Sequence, residues 1–252
     1  MKNHQSSIIN HQSLIIGWLY PDLMNTYGDR GNILALQKRC EWRNIGVEIK
    51  RLNVGFNPKH LALCNLLFMG GAQDTQQMIV SRDFSTTNIT LLKQLVETNT
   101  PGLYICGAYQ FLGQYYKEAN GNKIPGLGIL DLHTEHPGEN AERLIGNIIA
   151  DSPLGKLVGF ENHGGRTYIS DKKLALGKVL KGFGNNGKDK TEGIKYKNSI
   201  GTYLHGPALP KNPKLADFLI QKALEKKYGK IKLKTLDDSL EQKAREAVLK
   251  DR

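Results

Sequence analysis

The chain has 252 residues, of which 39% are hydrophobic and 8% aromatic, with 27 Gly and 9 Pro. That composition excludes a disordered or fibrous protein, and the length suffices to bury a core without disulfides. Lys and Arg number 35 against 24 Asp and Glu, a formal net charge of +11, but the basic clusters at 172–197 and 222–252 hold only Phe183, Tyr196 and Tyr228 as aromatics, too few for a stacking platform. They also lack zinc-finger or basic-zipper spacing, so a solvated basic surface is favoured and no nucleic-acid partner is expected.

Residues 1–13 read as a polar leader. The apolar run that follows meets Gly17, Pro21 and Asp22 before any small-residue cleavage pattern, which argues against a signal peptide. No apolar run approaches the roughly 20 residues of a membrane-spanning helix. Cys40, Cys64 and Cys106 are an odd number without C-x-x-C spacing. They point to a reducing cytosol, against a disulfide scaffold, and to no metal site.

Ser13–Leu19 reads as a buried strand and 31–44 as a helix with apolar Ile33, Leu34, Leu36, Cys40 and Trp42. Strands follow at 47–52 and at Leu66–Met69, the second running into Gly70-Gly71. Residues 90–98 read as helix, and Pro101 punctuates before the strand Gly102–Ile105. Such alternation implies crossover units and a mainly parallel sheet, an α/β fold. The segments 126–130, 143–150, 157–169, 174–182 and 193–203 are short, Gly-rich and strand-like, hairpins or edge strands added to that sheet. The stretch 183–192 is the most loop-like. Pro213–Tyr228 is an amphipathic helix, and 239–250 is a second, more polar one.

The strongest chemical signal is Gly102-Leu103-Tyr104-Ile105-Cys106-Gly107-Ala108-Tyr109-Gln110. An apolar strand meets a cysteine, small residues and the start of a helix, the context of a nucleophile elbow; a helix start also favours the thiolate. A buried structural cysteine explains the same pattern as well. Cys40 and Cys64 read as core residues. A cysteine nucleophile needs a base and oxyanion donors. His205, after the strand-like Ser199-Ile200-Gly201-Thr202-Tyr203-Leu204, is placed to be that base, and Gly70-Gly71 would offer backbone N–H groups at the carboxyl edge of the sheet.

Taken in order over about 14–225, these pieces resemble the class I glutamine amidotransferase (triad) family, in the branch that includes cobyric acid synthase-like glutaminases. Two stretches narrow the resemblance to glutaminase subunits of lipid II isoglutaminyl synthases: Leu19-Tyr20-Pro21-Asp22-Leu23-Met24-Asn25-Thr26-Tyr27-Gly28-Asp29-Arg30-Gly31-Asn32 and Gly159-Phe160-Glu161-Asn162-His163-Gly164-Gly165-Arg166-Thr167. The resemblance implies a three-layer α/β domain over 14–228; the leader and the basic helical extension at 229–252 lie outside it. It implies Cys106 as nucleophile, His205 as base, and the N–H groups of Gly71 and Gly107 as the oxyanion site. Arg143, beside Ile145-Gly146-Asn147, would hold the glutamine α-carboxylate, with Arg30 and Arg166 as competitors. Gln110, Glu161 and His163 would line the pocket.

The sequence departs from the family in two places. Tyr104 and Ala108 stand where the usual elbow has Gly, and Gly206-Pro207 replaces the acid that usually follows the histidine. A Cys–His dyad, or an acid from elsewhere in the chain, is therefore expected. No Gly-x-x-x-x-Gly-Lys-[Ser/Thr] loop occurs. No cofactor is thus expected on this chain. The resemblance implies ATP and Mg²⁺ on a Mur-ligase-like synthetase partner in a heterodimer, which receives the ammonia and amidates the D-glutamate α-carboxyl of lipid II. It also implies a bacterial, cytoplasmic protein working near the inner face of the membrane. The rival reading from another class is a non-catalytic scaffold that only recruits the partner.

Overall fold

The computed structural model describes residues 12–250, so most of the leader lies outside the described residues. The first half runs β1 (Ser13–Leu19), α1 (Arg30–Glu41), β2 (Gly46–Leu52), α2 (Pro58–Ala62), β3 (Leu66–Met69), α3 (Asp74–Asp83), α4 (Thr86–Glu97), β4 (Gly102–Ile105) and α5 (Gly107–Phe111). Short strands follow: β5 (Tyr115–Lys117), β6 (Lys123–Pro125), β7 (Leu132–Glu135), β8 (Leu144–Ser152), β9 (Gly155–His163), β10 (Arg166–Ile169), β11 (Gly177–Lys181) and β12 (Thr191–Glu192). The last elements are β13 (Ile194–Tyr196), β14 (Ser199–Thr202), α6 (Ala208–Lys211), α7 (Pro213–Tyr228) and α8 (Ser239–Lys250).

The central sheet has the order β13-β14-β4-β3-β1-β2, parallel throughout except for the edge strand β13. Its inner strands β3, β4 and β14 are buried at every residue, because helices cover both faces of a parallel sheet. From β1 the chain crosses to β2, then returns past β1 to β3, β4 and β14. Right-handed crossovers turn that reversal into three layers, with α1 on one face and α2 to α4 on the other. Helix α7 packs against α1. The reversal between β1 and β3 is a topological switch point, where a crevice opens at the carboxyl ends of the strands.

The second half differs from expectation in its arrangement. Only β13 and β14 join the central sheet, β13 as an added edge strand. Strands β5 to β12 form two four-stranded sheets, β10-β7-β5-β6 and β12-β11-β8-β9. The predicted strand at 157–169 breaks at Gly164-Gly165 into β9 and β10. The segment 126–130 is not a strand, because its N–H groups are used elsewhere. Those of Leu127, Gly128, Ile129 and Leu130 donate to carbonyls of Phe111, Gly113 and Leu112 at 2.8 to 3.0 Å, closing the end of α5. Helix α3 has no predicted counterpart, since its polar sequence shows only Gln77 and Val80 to the core. Helix α4 begins at Thr86 rather than 90, where the Ser85 hydroxyl accepts the Asn88 N–H (3.2 Å). Leu34 on α1 and Trp42 just after it are exposed rather than packed inward.

The C-terminal extension docks back on the domain. The Lys234 carbonyl accepts from Arg43 Nε at 2.7 Å, and Asp238 pairs with Arg39 at 2.7 Å. In α8, Arg245 reaches the carbonyls of Lys156 (2.7 Å) and Lys211 (3.1 Å). No described helix is long and apolar enough to cross a membrane.

Candidate active site

At the end of β4 the chain turns sharply at Cys106 (φ 50°, ψ −106°) into α5. A non-glycine residue in that conformation costs on the order of 1–3 kcal/mol, so its neighbours must hold it. Cys106 N–H donates to the Thr202 carbonyl at the end of β14 (2.8 Å), and its own carbonyl accepts from Gln110 N–H (2.9 Å). Gly107 follows in close contact with the chain after β3: a Cβ built on it would stand 2.9 Å from Ala72 N. The elbow thus tolerates Tyr104 and Ala108, both fully buried. Helix α5 is only five residues long, a weak dipole, so the imidazole beside Cys106 matters more to the thiol than the helix does.

His205 follows β14 and is fully buried, tied to β9 by reciprocal backbone bonds with Phe160 (2.8 and 3.1 Å). Its Nδ1 lies 3.3 Å from Asp29 Oδ1. An ionised carboxylate only accepts, so Nδ1 is the protonated nitrogen. Nε2 is buried without a hydrogen-bond partner among the described residues. Burial works to lower the pKa of this histidine, but the adjacent Cys106 sulfur and the Asp29 carboxylate outweigh it and push the value up to about 10. The ring edge of Tyr27, 48% exposed, sits over the imidazole at 5.0 Å.

The expected acid thus comes from elsewhere in the chain. Asp29 lies within the 19–32 stretch, and nothing in its local spacing announces a role. The same residue bears on Gly71. The Gly71 N–H donates to Asp29 Oδ2 (2.6 Å), and the Gly71 carbonyl accepts from Thr26 N–H (3.1 Å). An oxyanion role for Gly71 would require that N–H to leave the carboxylate. Ala72, whose backbone lies against Gly107, lines the cleft together with Cys106.

A cleft of about 340 Å³ opens above Cys106. Arg143, Gln110 and His163 all line it, with Asp74, Tyr116 and Asn162. Arg143 is steered by Asn162, whose side-chain and main-chain oxygens accept from Nε (2.8 Å) and Nη2 (3.0 Å). Asp74 opens α3 on the cleft wall. Burial raises its carboxyl pKa against the pull of His136, the Tyr116 hydroxyl and Arg143. Sequence reasoning missed Asp74 because it missed the helix that carries it. Neither competitor lines the cleft: Arg30 is exposed, and Arg166 donates to the Gly164 and Glu142 carbonyls (2.7 and 2.6 Å).

Gln110 donates to the Tyr203 hydroxyl (3.0 Å) and accepts from Gln77 (3.2 Å). His163 stacks on the Tyr203 ring at 3.5 Å, with Nδ1 2.8 Å from the Gly165 carbonyl. Burial lowers its pKa despite Glu161, 3.5 Å from Nε2, so it shapes the pocket as a neutral ring. Glu161 does not line the cleft. Its oxygens accept the Phe183 (2.6 Å) and Gly184 (2.9 Å) N–H groups behind His163, and two amides consume the carboxylate that the sequence made available. Cys40 and Cys64 are buried in the core, and burial pushes both thiols up to about 12. Among the described residues no three His, Cys, Asp or Glu side chains are grouped to hold a metal ion.

Residues 15–213 match the CobB/CobQ-like glutamine amidotransferase domain family. The chain is 44% identical over 233 residues to a Staphylococcus aureus (strain N315) protein named lipid II isoglutaminyl synthase (glutamine-hydrolyzing) subunit GatD, covering 90% of this chain and 91% of that protein. A Streptococcus pneumoniae protein of the same name is 41% identical over 238 residues, covering 92% and 89%. Among solved structures, the glutaminase domain of Trypanosoma brucei CTPS with bound acivicin has a TM-score of 0.50 at 13% identity, covering 87% of this chain and 98% of that one. That is a likeness of fold.

Proposed function

Because the chain belongs to the CobB/CobQ-like glutamine amidotransferase family, we propose that it is the glutaminase subunit of a lipid II isoglutaminyl synthase. In this reading Cys106 attacks the side-chain amide carbon of free glutamine. Its proton passes to His205 Nε2 and on to the leaving nitrogen, so ammonia departs and a γ-glutamyl thioester stays on the sulfur. The same nitrogen then deprotonates water, which displaces glutamate. The Gly107 and Ala72 amides receive the oxyanion of each tetrahedral intermediate. Arg143 meets the α-carboxylate of the substrate and Asp74 its α-ammonium group.

The ammonia goes to a Mur-ligase-like synthetase that holds ATP and Mg²⁺ and amidates the D-glutamate α-carboxyl of lipid II. Such a heterodimer works in the bacterial cytoplasm, at the membrane face where its lipid-linked substrate is assembled. The observation that carries the reading is a strained cysteine beside a buried histidine with one nitrogen unbonded, on a chain so similar to GatD proteins. A scaffold that only recruits a partner needs neither.

The test is Cys106→Ala in the complex. Glutamine hydrolysis is expected to vanish while lipid II amidation with supplied ammonium salt continues, because the thiol serves only to release ammonia. Loss of the ammonia-driven reaction as well would make Cys106 structural and sink the reading.

A further inference from the structure

Asp29 is of a preferred N-cap residue type and stands immediately before α1, yet its side chain makes no cap bond. Asn25 Oδ1 takes the Arg30 N–H instead, at 2.7 Å, and Asp29 turns inward and is fully buried. A buried carboxylate requires partners. It has the Gly71 N–H at Oδ2 (2.6 Å) and His205 Nδ1 at Oδ1 (3.3 Å). Gly70 makes room for this approach: a Cβ there would stand 2.4 Å from the Met24 carbonyl and 3.0 Å from Asp29 Cβ.

We infer that Asp29 is the positioning residue for His205, and that through its second oxygen it also fixes the strand end that carries Gly71. The acid missing after the histidine is supplied by the loop that follows β1, which neighbours β3 in the sheet. Its work is orientation. The Nδ1–H bond to Oδ1 selects the tautomer and the ring plane, leaving Nε2 to exchange protons with Cys106. A capping aspartate has no reason to forgo its cap. An aspartate needed by the imidazole does. Thr26 N–H on the Gly71 carbonyl (3.1 Å) closes the loop over the same point.

The test is Asp29→Asn in the full chain, chosen because the amide oxygen still accepts the Gly71 N–H while the charge is gone. The charged and titratable groups around His205 are Asp29, Cys106 and the Tyr27 phenol, with Lys211 Nζ near Gly206. Of these, Asp29 and Cys106 raise its pKa. In the complex, kcat for glutamine hydrolysis is expected to fall about 10²-fold or more, with KM changed less than about twofold. Iodoacetamide labelling of Cys106 in the isolated chain is expected to slow at neutral pH as the imidazole loses its orienting partner. In a His205→Asn background the Asp29 change is expected to add nothing to that slowing, since it acts through the imidazole.

An unchanged labelling profile, or an equal slowing without His205, overturns the assignment. In the unaltered chain, ¹⁵N spectra of the imidazole give a check that no folding defect can obscure: Nδ1 is expected to keep its proton while Nε2 titrates near about 10. Titration at Nδ1 first overturns the assignment equally. The kinetic arm rests on the glutaminase reading, but the labelling and spectroscopic arms do not. A complex that releases no ammonia would sink that reading while Asp29 is still judged by the thiol.

Discussion

Arg143 and Asp74 give the cleft both signs of charge, which suits a free amino acid better than a side chain within a peptide. Asn162 takes Nε and Nη2 of Arg143, so the guanidinium is oriented while its Nη1 edge is left for a carboxylate. Arginine holds such a group in a planar fork that lysine cannot reproduce. Losing a charged hydrogen bond costs about 1.5–3 kcal/mol, and the exposure of Arg143 puts it at the lower end. Arg143→Ala is therefore expected to raise KM for glutamine about tenfold with little change in kcat. Steady-state kinetics of the complex check this, and labelling of Cys106 by iodoacetamide is expected to persist because the thiol is untouched. An unaltered KM would assign the carboxylate to another group.

At the scale of the elements, the site is a consequence of parallel strands. β1, β3, β4 and β14 lie side by side and point the same way, so the residues after each of them meet at one edge. They are the Asp29 loop, Gly70-Gly71, Cys106 and His205. Below that edge a buried polar network joins Gln77, Gln110, Tyr203, Thr167 and Thr134, with Tyr203 Oη 2.6 Å from Thr167 Oγ1 and 3.0 Å from Gln110 Nε2. Tyr203 is the junction of that network and also the ring on which His163 stacks. Replacing Tyr203 by Phe leaves Gln110 and the fully buried Thr167 each short of a partner. The expected cost is about 1–3 kcal/mol, seen as a lower urea midpoint with an unchanged slope. A midpoint equal to that of the parent chain would show that the network is dispensable.

For the whole molecule, the extension beyond α7 is held by charge at a shared node. Arg39, 3% exposed, forks onto Asp217 of α7 at 2.7 and 2.9 Å and reaches Asp238 at 2.7 Å. Arg43 adds a bond to Asp217 at 2.7 Å. One buried guanidinium thus clamps α1, α7 and the segment leading into α8. The two aspartates keep some exposure, so the cost of Arg39→Ala is set below the 3–5 kcal/mol of a fully buried pair, at about 2 kcal/mol. The variant is expected to melt at a lower temperature and to be cut by trypsin in the lysine-rich 226–234 segment faster than the parent. Equal cleavage rates would mean that the tail is held by other contacts.

Read by itself, the sequence determined the crossover α/β class, the strands Ser13–Leu19, Leu66–Met69 and Gly102–Ile105, the helix Pro213–Tyr228, and the elbow at Cys106. Each is local: an apolar run buried on both faces, a 3.6-residue stripe, a strand meeting small residues. Cys106 and His205 were legible on the same terms, since both end apolar strands. Asp29 and Asp74 were not, because what makes them functional is the company of groups far away in the chain, His205 and Gly71 for one and Arg143 across the cleft for the other. Glu161 shows the converse, an acid that looks available in its segment until two amides of the 183–184 turn occupy it. Only the tertiary structure decided which charges face the cleft and which are consumed, because hydrogen-bond satisfaction in a buried site depends on neighbours that the order of strands supplies and local patterns do not encode.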